Sequence, residues 1–418
     1  MASPFNALKH RNYRLFWFGQ AVSLIGTWMQ STGQSWLVLM LTDSPFLLGL
    51  VSALQLAPVL AFALFAGVLA DRLPKRRLLV ATQGTMMVLA FLLSALTLLG
   101  WVRYWHVAVL AALLGAANAF DIPIRQSFMV EIVGRGDLTN AIALNATIFN
   151  VARFIGPAIA GFVTKELGPG WAFFANGVSF LGVIAALLAM DVKAPRIEKA
   201  RGGVLAQVRE GLGYIVREPR VSTCLVMLGL ISTFSLNFSV LVPLLARDVL
   251  HGDAGLYGIL MSAVGLGALI GATGMTIISG GGPRRWMMNA GAAMTGLSCL
   301  ALAFIRGSLL ATAALTLAGL AWIVFYTQSL STVQVTVPDR LRGRVLSVHS
   351  LVFNGVPLFG SLFAGSVAQS FGTPASFGAG GVAGTLSALG VILWWRRAVR
   401  NGAATQGPVA GAAGGGND

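Results

Sequence analysis

Charge is scarce in this sequence, and acidic charge scarcer still. Only 10% of its 418 residues are Asp, Glu, Lys or Arg, against about 25% in soluble domains, which excludes a soluble globular protein. Fourteen acids stand against 29 Lys and Arg. Cysteine is nearly absent. Cys224 and Cys299 each fall inside an apolar run, so they read as packing residues, with no disulfide and no metal site. There is no nucleotide-binding loop, so ATP is not the expected energy source. H-E-x-x-H, G-x-S-x-G and paired intramembrane aspartates are missing too, which argues against an enzyme; no cofactor and no metal are expected. No cleavable signal is evident, because Lys9, Arg11 and Arg14 lead straight into a full-length apolar run.

What the chain has in abundance is apolar length. Hydrophobic residues make up 56% of it, and runs of about 20 recur from end to end, each long enough to span a bilayer as a helix. Twelve spans are expected, at 14–41, 46–70, 78–101, 105–128, 139–164, 171–190, 221–246, 255–279, 286–305, 309–335, 345–369 and 375–395. The chain divides into a first bundle over 1–190, a cytoplasmic central loop over 191–220 and a second bundle over 221–395. The Gly- and Ala-rich end, 396–418, reads as a disordered cytoplasmic tail. The 51 glycines suit closely packed transmembrane helices.

The basic residues set the orientation. Arg103, Lys165, Arg247 and Arg306 lie on one side and Arg153 lies in a span; the other 24 of the 29 lie on the side of both termini and the central loop. That asymmetry places both termini in the cytoplasm. It also accounts for the net charge of +15 without nucleic acid. The halves repeat as well. A shift of 204 residues carries Phe149-Asn150 onto Phe353-Asn354, and Gly156, Ala160, Gly161, Val163 and Gly168 onto Gly360, Ala364, Gly365, Val367 and Gly372. A parallel repeat of this kind implies two pseudo-symmetric halves with a substrate site between them near the midplane.

Charge inside a span is costly, so the charged residues there are candidates for function. Arg153 sits near the middle of span five. Asp121 is the one acid well inside a span, and Arg125 follows it by one helical turn on the same face. Two readings stand side by side. Asp121 exchanges a proton during transport, with Arg125 and Arg153 completing a charge network. Alternatively, Asp121 pairs permanently with Arg125 or with Arg153 and holds the helices together. Position by position the second half has Phe325, Ser329 and Pro357 in place of Asp121, Arg125 and Arg153, so charge chemistry is confined to the first half. Polar residues on inward-facing spans are candidates for the substrate cavity: Gln30, Gln34, Gln55, Asn118, Asn145, Asn150, Asn237, Tyr326, Gln328 and Asn354. Each could equally be glue between helices. His349, near the cytoplasmic end of span eleven, is expected to be solvated.

Between spans two and three runs Gly67-Val68-Leu69-Ala70-Asp71-Arg72-Leu73-Pro74-Lys75-Arg76-Arg77. It resembles the signature loop of the major facilitator superfamily, G-x-L-A-D-R-x-G-R-R, with Pro74 where the family has glycine. Asp71 with Arg72, Lys75, Arg76 and Arg77 can form charge pairs and helix-end contacts that hold a cytoplasmic gate, Gly67 opening the motif. Arg76 and Arg77 can alternatively anchor at anionic lipid. Gly156, Pro157 and Gly161 resemble the G-P-x-x-G-G element of antiporters in the superfamily, with Ala160 replacing one glycine. Physically they allow either a helix bend or close packing.

Further stretches narrow the resemblance to the drug:proton antiporter-3 branch, which includes enterobactin-type siderophore exporters and macrolide efflux proteins. These are Arg11-Asn12-Tyr13-Arg14-Leu15-Phe16-Trp17, Gly26-Thr27-Trp28-Met29-Gln30, Ala119-Phe120-Asp121-Ile122-Pro123-Ile124-Arg125-Gln126, Asn140-Ala141-Ile142-Ala143-Leu144-Asn145 and Leu341-Arg342-Gly343-Arg344-Val345. The resemblance implies an all-α membrane protein of twelve helices in two six-helix bundles. It further implies proton-coupled export of a bulky, partly apolar molecule from a bacterium, across the inner membrane; the oligomeric state is open, with a monomer as the default expectation. The partners expected are that small molecule, protons and the lipid bilayer. An importer or facilitator shares the same fold, since fold does not set direction. A non-transporting sensor or secretion partner would need a soluble module larger than the central loop.

Overall fold

A computed structural model describes residues 5–134, 136–191, 204–278 and 282–400; the side chains of 63–72, 204–208 and 397–400 are outside the description. Its regular structure, among the described residues, is helical throughout. The first half comprises α1 (Arg11–Thr42), α2 (Pro45–Arg72), α3 (Lys75–Leu98), α4 (Tyr104–Val133), α5 (Leu138–Leu167) and α6 (Pro169–Ala189). A linker helix, α7 (Val204–Arg217), follows. The second half comprises α8 (Pro219–Phe234), α9 (Phe238–Leu244) with a π-helical turn (Leu245–Val249), α10 (Ala254–Ile278), α11 (Arg285–Leu302), α12 (Ser308–Thr336), α13 (Asp339–Gly355), α14 (Pro357–Phe371) and α15 (Thr373–Arg400). Ten of the rods are long and apolar enough to cross a membrane, with α8–α9–π and α13–α14 each counted once. The more polar α1 packs on α5 and α6, and α11 packs on α12 and α15. With these two included, the described helices form twelve rods.

Local chemistry sets the turns. Asp43 ends α1 in the left-handed region at φ 49°, and Ser44 then caps α2, its hydroxyl accepting from Leu47 N–H ahead of Pro45 at the first helical position. Gly168 ends α5 at φ 91°, ψ 161°, and its repeat mate Gly372 ends α14 at φ 85°, ψ 162°. A side chain is strained at such a positive φ, so glycine stands at both corners. At these two corners the 204-residue repeat is one of backbone conformation as well as of sequence.

Four expectations need correction. Span seven is interrupted at 235–237, where Asn237 donates from its amide to Thr233 O, and Pro243 lies within the short α9 that follows. Span eleven is interrupted at Val356, because Pro357 has no N–H and its ring crowds the preceding turn. The central loop contains α7, a strongly two-faced helix docked on α13 and on the end of α12: Tyr214 donates to Thr336 O of α12 at 3.3 Å, and Glu210 pairs with Arg340 and Arg344 of α13. Finally, α15 continues to Arg400, beyond the expected start of the tail at 396; residues 401–418 lie outside the described residues.

The apolar core has an uneven layout. We call the end holding Arg11 of α1 proximal and the opposite end distal. One cluster fills the distal end and draws on both halves, with Leu37, Leu48, Phe173, Phe238, Tyr257 and Phe377 among its members. The proximal end holds two separate clusters. One belongs to the first half, around Tyr13, Phe16, Ile124 and Phe128; the other belongs to the second half, around Cys224, Met288, Trp322 and Phe325. The halves thus share a core at one end and keep their own cores at the other.

Candidate functional site

Asp121 lies on α4 and is 1% exposed. Its Oδ1 accepts from Thr82 Oγ1 and from Gln83 Nε2, both on α3 and both at 2.8 Å. Its Oδ2 lies 3.3 Å from Arg125 Nη2, one turn along the same helix. Arg125 also donates through Nη1 to Gln20 Oε1 of α1 at 2.7 Å. Of the two arginines weighed from sequence, the structure pairs Asp121 with Arg125. The result is a buried link through α3, α4 and α1 within the first half. Gln20, Thr82 and Gln83 were missed, since nothing in sequence spacing shows which residue of another helix will face Asp121.

Arg153 stands apart from that link. It has no ion pair or hydrogen bond among the described residues. Its guanidinium carbon lies 5.6 Å from the Trp28 ring centroid, a cation–π contact. Trp28 meets Phe149 edge-on at 5.8 Å. The second half has an aromatic group of its own, in which Tyr326 lies 4.6 Å from Phe353 and Trp322 stacks on Phe353 at 6.0 Å. Phe149 and Phe353 are the repeat-matched pair of the sequence. His349, expected to be solvated, is 1% exposed, with Nε2 3.4 Å from Ser329 Oγ and its ring 5.7 Å from Tyr326. Because α13 starts at Asp339, His349 lies ten residues, about 15 Å, into the helix.

Several candidate cavity residues have partners that tie helices together. Gln30 accepts from Asn176 of α6 at 2.6 Å, and Gln34 donates to Gln55 of α2 at 3.3 Å. Gln328 accepts from the Arg284 backbone N–H at 2.7 Å, with Met275 and Met287 sulfurs beyond its amide. Asn118, Asn150, Asn237 and Asn354 each donate to a carbonyl one turn back on their own chain. Asn145 and Tyr326 are partly exposed.

The basic turn anchors α3 inside the first half. Lys75 pairs with Glu131 of α4, and Arg76 donates to Leu187 O at 2.6 Å and Leu188 O at 2.7 Å, the free carbonyls at the end of α6. Arg77 is exposed. The backbone at Gly67, Asp71 and Arg72 is helical, and the side chains of these three lie outside the described residues.

The halves meet along two seams, α5 with α10 and α2 with α14. Both are built on glycine. A Cβ on Gly161 would come within 2.8 Å of Ala254 O and of Gly258 Cα; one on Gly365 would come within 2.7 Å of Pro45 O. Pro157 presents its carbonyl to Gly258, and Gly156 packs on Trp28 and the Ile25 carbonyl of α1. The helix α5 stays continuous through Pro157, so in this conformation the element brings helices close on two sides. Polar contacts reinforce the distal ends of the seams: Arg247–Asp43 at 2.8 Å, Lys165–Asp253 at 3.0 Å, and Ser44 Oγ with Gln369 Oε1 at 2.7 Å. Tyr257 stacks on Trp36 across the halves at 5.8 Å.

Ten membrane-length apolar rods together with the more polar α1 and α11, in two repeated halves joined at one end and holding buried charge, define a transporter of the major facilitator type. Solved structures share this fold. The nucleoside transporter NupG aligns with a TM-score of 0.74 at 12% identity over 93% of this chain and 99% of its own, and the peptide transporter POT with a TM-score of 0.74 at 13% identity over 93% and 95%. Among relatives by sequence, a staphyloferrin A transporter of Staphylococcus aureus is 24% identical over 88% of this chain and 92% of its own length. The multidrug efflux pump Tap of Mycolicibacterium fortuitum is 28% identical over 82% and 85%. Residues 2–410 match the family described as transmembrane secretion effector, and the chain belongs to that family.

Proposed function

We propose that this protein exports a bulky, partly apolar small molecule across a bacterial inner membrane by alternating access, driven by protons. The observation that carries the reading is the uneven core, shared distally and divided proximally. With the termini in the cytoplasm, as the basic residues argue, this is the conformation closed to the outside. The halves 1–190 and 221–395 then rock about the two glycine seams. The names of the staphyloferrin A and Tap relatives support small-molecule transport, and that of Tap supports the outward direction.

Asp121 is the group we assign to proton exchange. As a carboxylate it holds Arg125, and through Arg125 it holds α1. Protonation removes the charge that fixes Arg125 and lets α1, α3 and α4 rearrange, which shifts the balance between the two faces. Arg76 and Lys75 keep the proximal end of the first half rigid while it moves. Neither a cofactor nor a second subunit enters this scheme.

The test is efflux from cells lacking other pumps, with a macrolide and a catecholate siderophore as probes. Wild type is compared with Asp121→Asn at equal folded amounts, with and without an uncoupler. Proton-driven export predicts that the uncoupler raises intracellular probe and that Asp121→Asn behaves like uncoupled wild type. If the uncoupler lowers intracellular probe instead, the protein is an importer. If Asp121→Asn keeps gradient-driven efflux, Asp121 is a structural partner only.

A further inference from the structure

Among the described residues two cations lie over an aromatic ring with no acid in ion-pair distance: Arg285 over Trp395, at the start of α11 and off both seams, and Arg153 over Trp28. Asp121 and Arg125 neutralise each other at 3.3 Å. Glu131 is held by Lys75, Asp43 by Arg247 and Asp253 by Lys165. Arg153 has no acid within ion-pair distance among the described residues, and its contact is the Trp28 ring. Its position is as informative as its solitude. The Arg153 carbonyl lies against Gly265 of α10, so it stands on the seam between the halves. It is eight residues, about 12 Å, along α5 from the sealed Gly161–Gly258 contact, toward the end where the core divides. It is partly exposed. Beside it Trp28 and Phe149 form an aromatic surface, while Trp322, Tyr326 and Phe353 form a separate aromatic group within the second half.

From these observations we infer that the substrate is an amphiphilic organic anion, with a carboxylate on the Arg153 guanidinium and an aromatic or apolar body on the Trp28–Phe149 surface. This names the substrate class of the transport reading above and rests on it only for what binding achieves. An arginine presents a planar fork matched to a carboxylate. An unpaired charge within a membrane protein marks a ligand or ion pathway. The same charge repels a lipophilic cation, and among the described residues no unpaired acid at this depth attracts one.

The experiment uses the purified full-length protein in nanodiscs, with equilibrium dialysis of three probes of one shape: 1-naphthaleneacetate, 1-naphthaleneacetamide and 1-naphthylmethylammonium. Wild type is expected to hold the acid at least tenfold more tightly than the amide, and the cation more weakly still. Arg153→Gln should bring acid and amide to parity, whereas Arg153→Lys should keep a preference for the acid. Parity in wild type, absence of acid binding to wild type, or a preference that survives Arg153→Gln would each overturn the inference. Should Arg153→Gln not fold, the ratios in wild type and Arg153→Lys decide the matter alone. Movement of the same probes into proteoliposomes separates the two readings. Charge-selective binding without movement upholds the anion site and removes the exporter; movement indifferent to charge does the reverse.

Discussion

Arg125 divides its guanidinium between Asp121 on its own helix and Gln20 on α1, while Arg153 faces an aromatic ring with no counterion among the described residues. The two arginines are one residue type in neighbouring helices, so the surroundings alone set their roles. Asp121→Asn can still accept from Thr82 and Gln83, but it leaves the largely buried Arg125 without its charge. We expect the variant to lose about 1–3 kcal/mol of stability, the cost of stranding a buried polar group. The double variant Asp121→Asn with Arg125→Gln should recover much of that loss. Thermal unfolding of the detergent-purified proteins reads both, and additive losses in the double variant would refute the pairing. His349 belongs to this scale too. Its expected solvation followed from a span start placed at 345, and the earlier start of α13 at Asp339 buries it beside Ser329 and Tyr326.

At the scale of elements, glycine decides where the halves can touch. Gly161 and Gly258 face each other so closely that no Cβ fits on either without movement. Gly161→Leu therefore leaves α5 and intrahelical bonding intact, yet it pries α5 from α10. The expected outcome is a seam that no longer closes. Spin labels on the distal ends of α5 and α10 should report longer distances by pulsed electron resonance, with transport lost at unchanged helix content. Unaltered distances would show that the seam carries no strain. The interrupted rods follow the same logic. Asn237 and Pro357 break spans seven and eleven at backbone positions where a helix interior gives up a hydrogen bond. Both breaks lie in the second half, near Gly360, whose absent Cβ leaves room for the Thr233 carbonyl and the Asn237 amide.

For the whole molecule, a core shared at one end and divided at the other turns seam closure into an opening at the proximal side. Cysteines at Ser44 and Gln369, joined by a short bismaleimide, should hold the distal end closed and stop transport, since that end must part in the cycle. Continued transport after complete cross-linking would exclude the rocking scheme. The native Cys224 and Cys299 are buried and should not react. The distal closure should also resist mild acid. The Leu256 backbone N–H, followed by Lys165, holds the Asp253 carboxyl below its ordinary value of 3.8. A lowered value means that its contribution is fully present above pH 3.8 and is lost only as pH falls through the lowered value. The closed-distal population read by spin labels on α5 and α10 should thus stay level from about pH 5 to 8. A fall within that window would show that a group other than Asp253 governs the closure.

The sequence alone determined the helical class and the repeat, because each rests on local chemistry. Apolar length dictates spanning, Lys and Arg mark one side, and Gly168 and Gly372 need the same positive φ. Tertiary structure decided what each helix faces. In a bilayer, lipid and protein core are equally apolar, so the pattern of hydrophobic residues that points a soluble helix inward is silent here. Hence the choice of Arg125 over Arg153 for Asp121, the burial of His349, the docking of α7 on α13 and the division of the core into one distal and two proximal parts became visible only once the helices were packed.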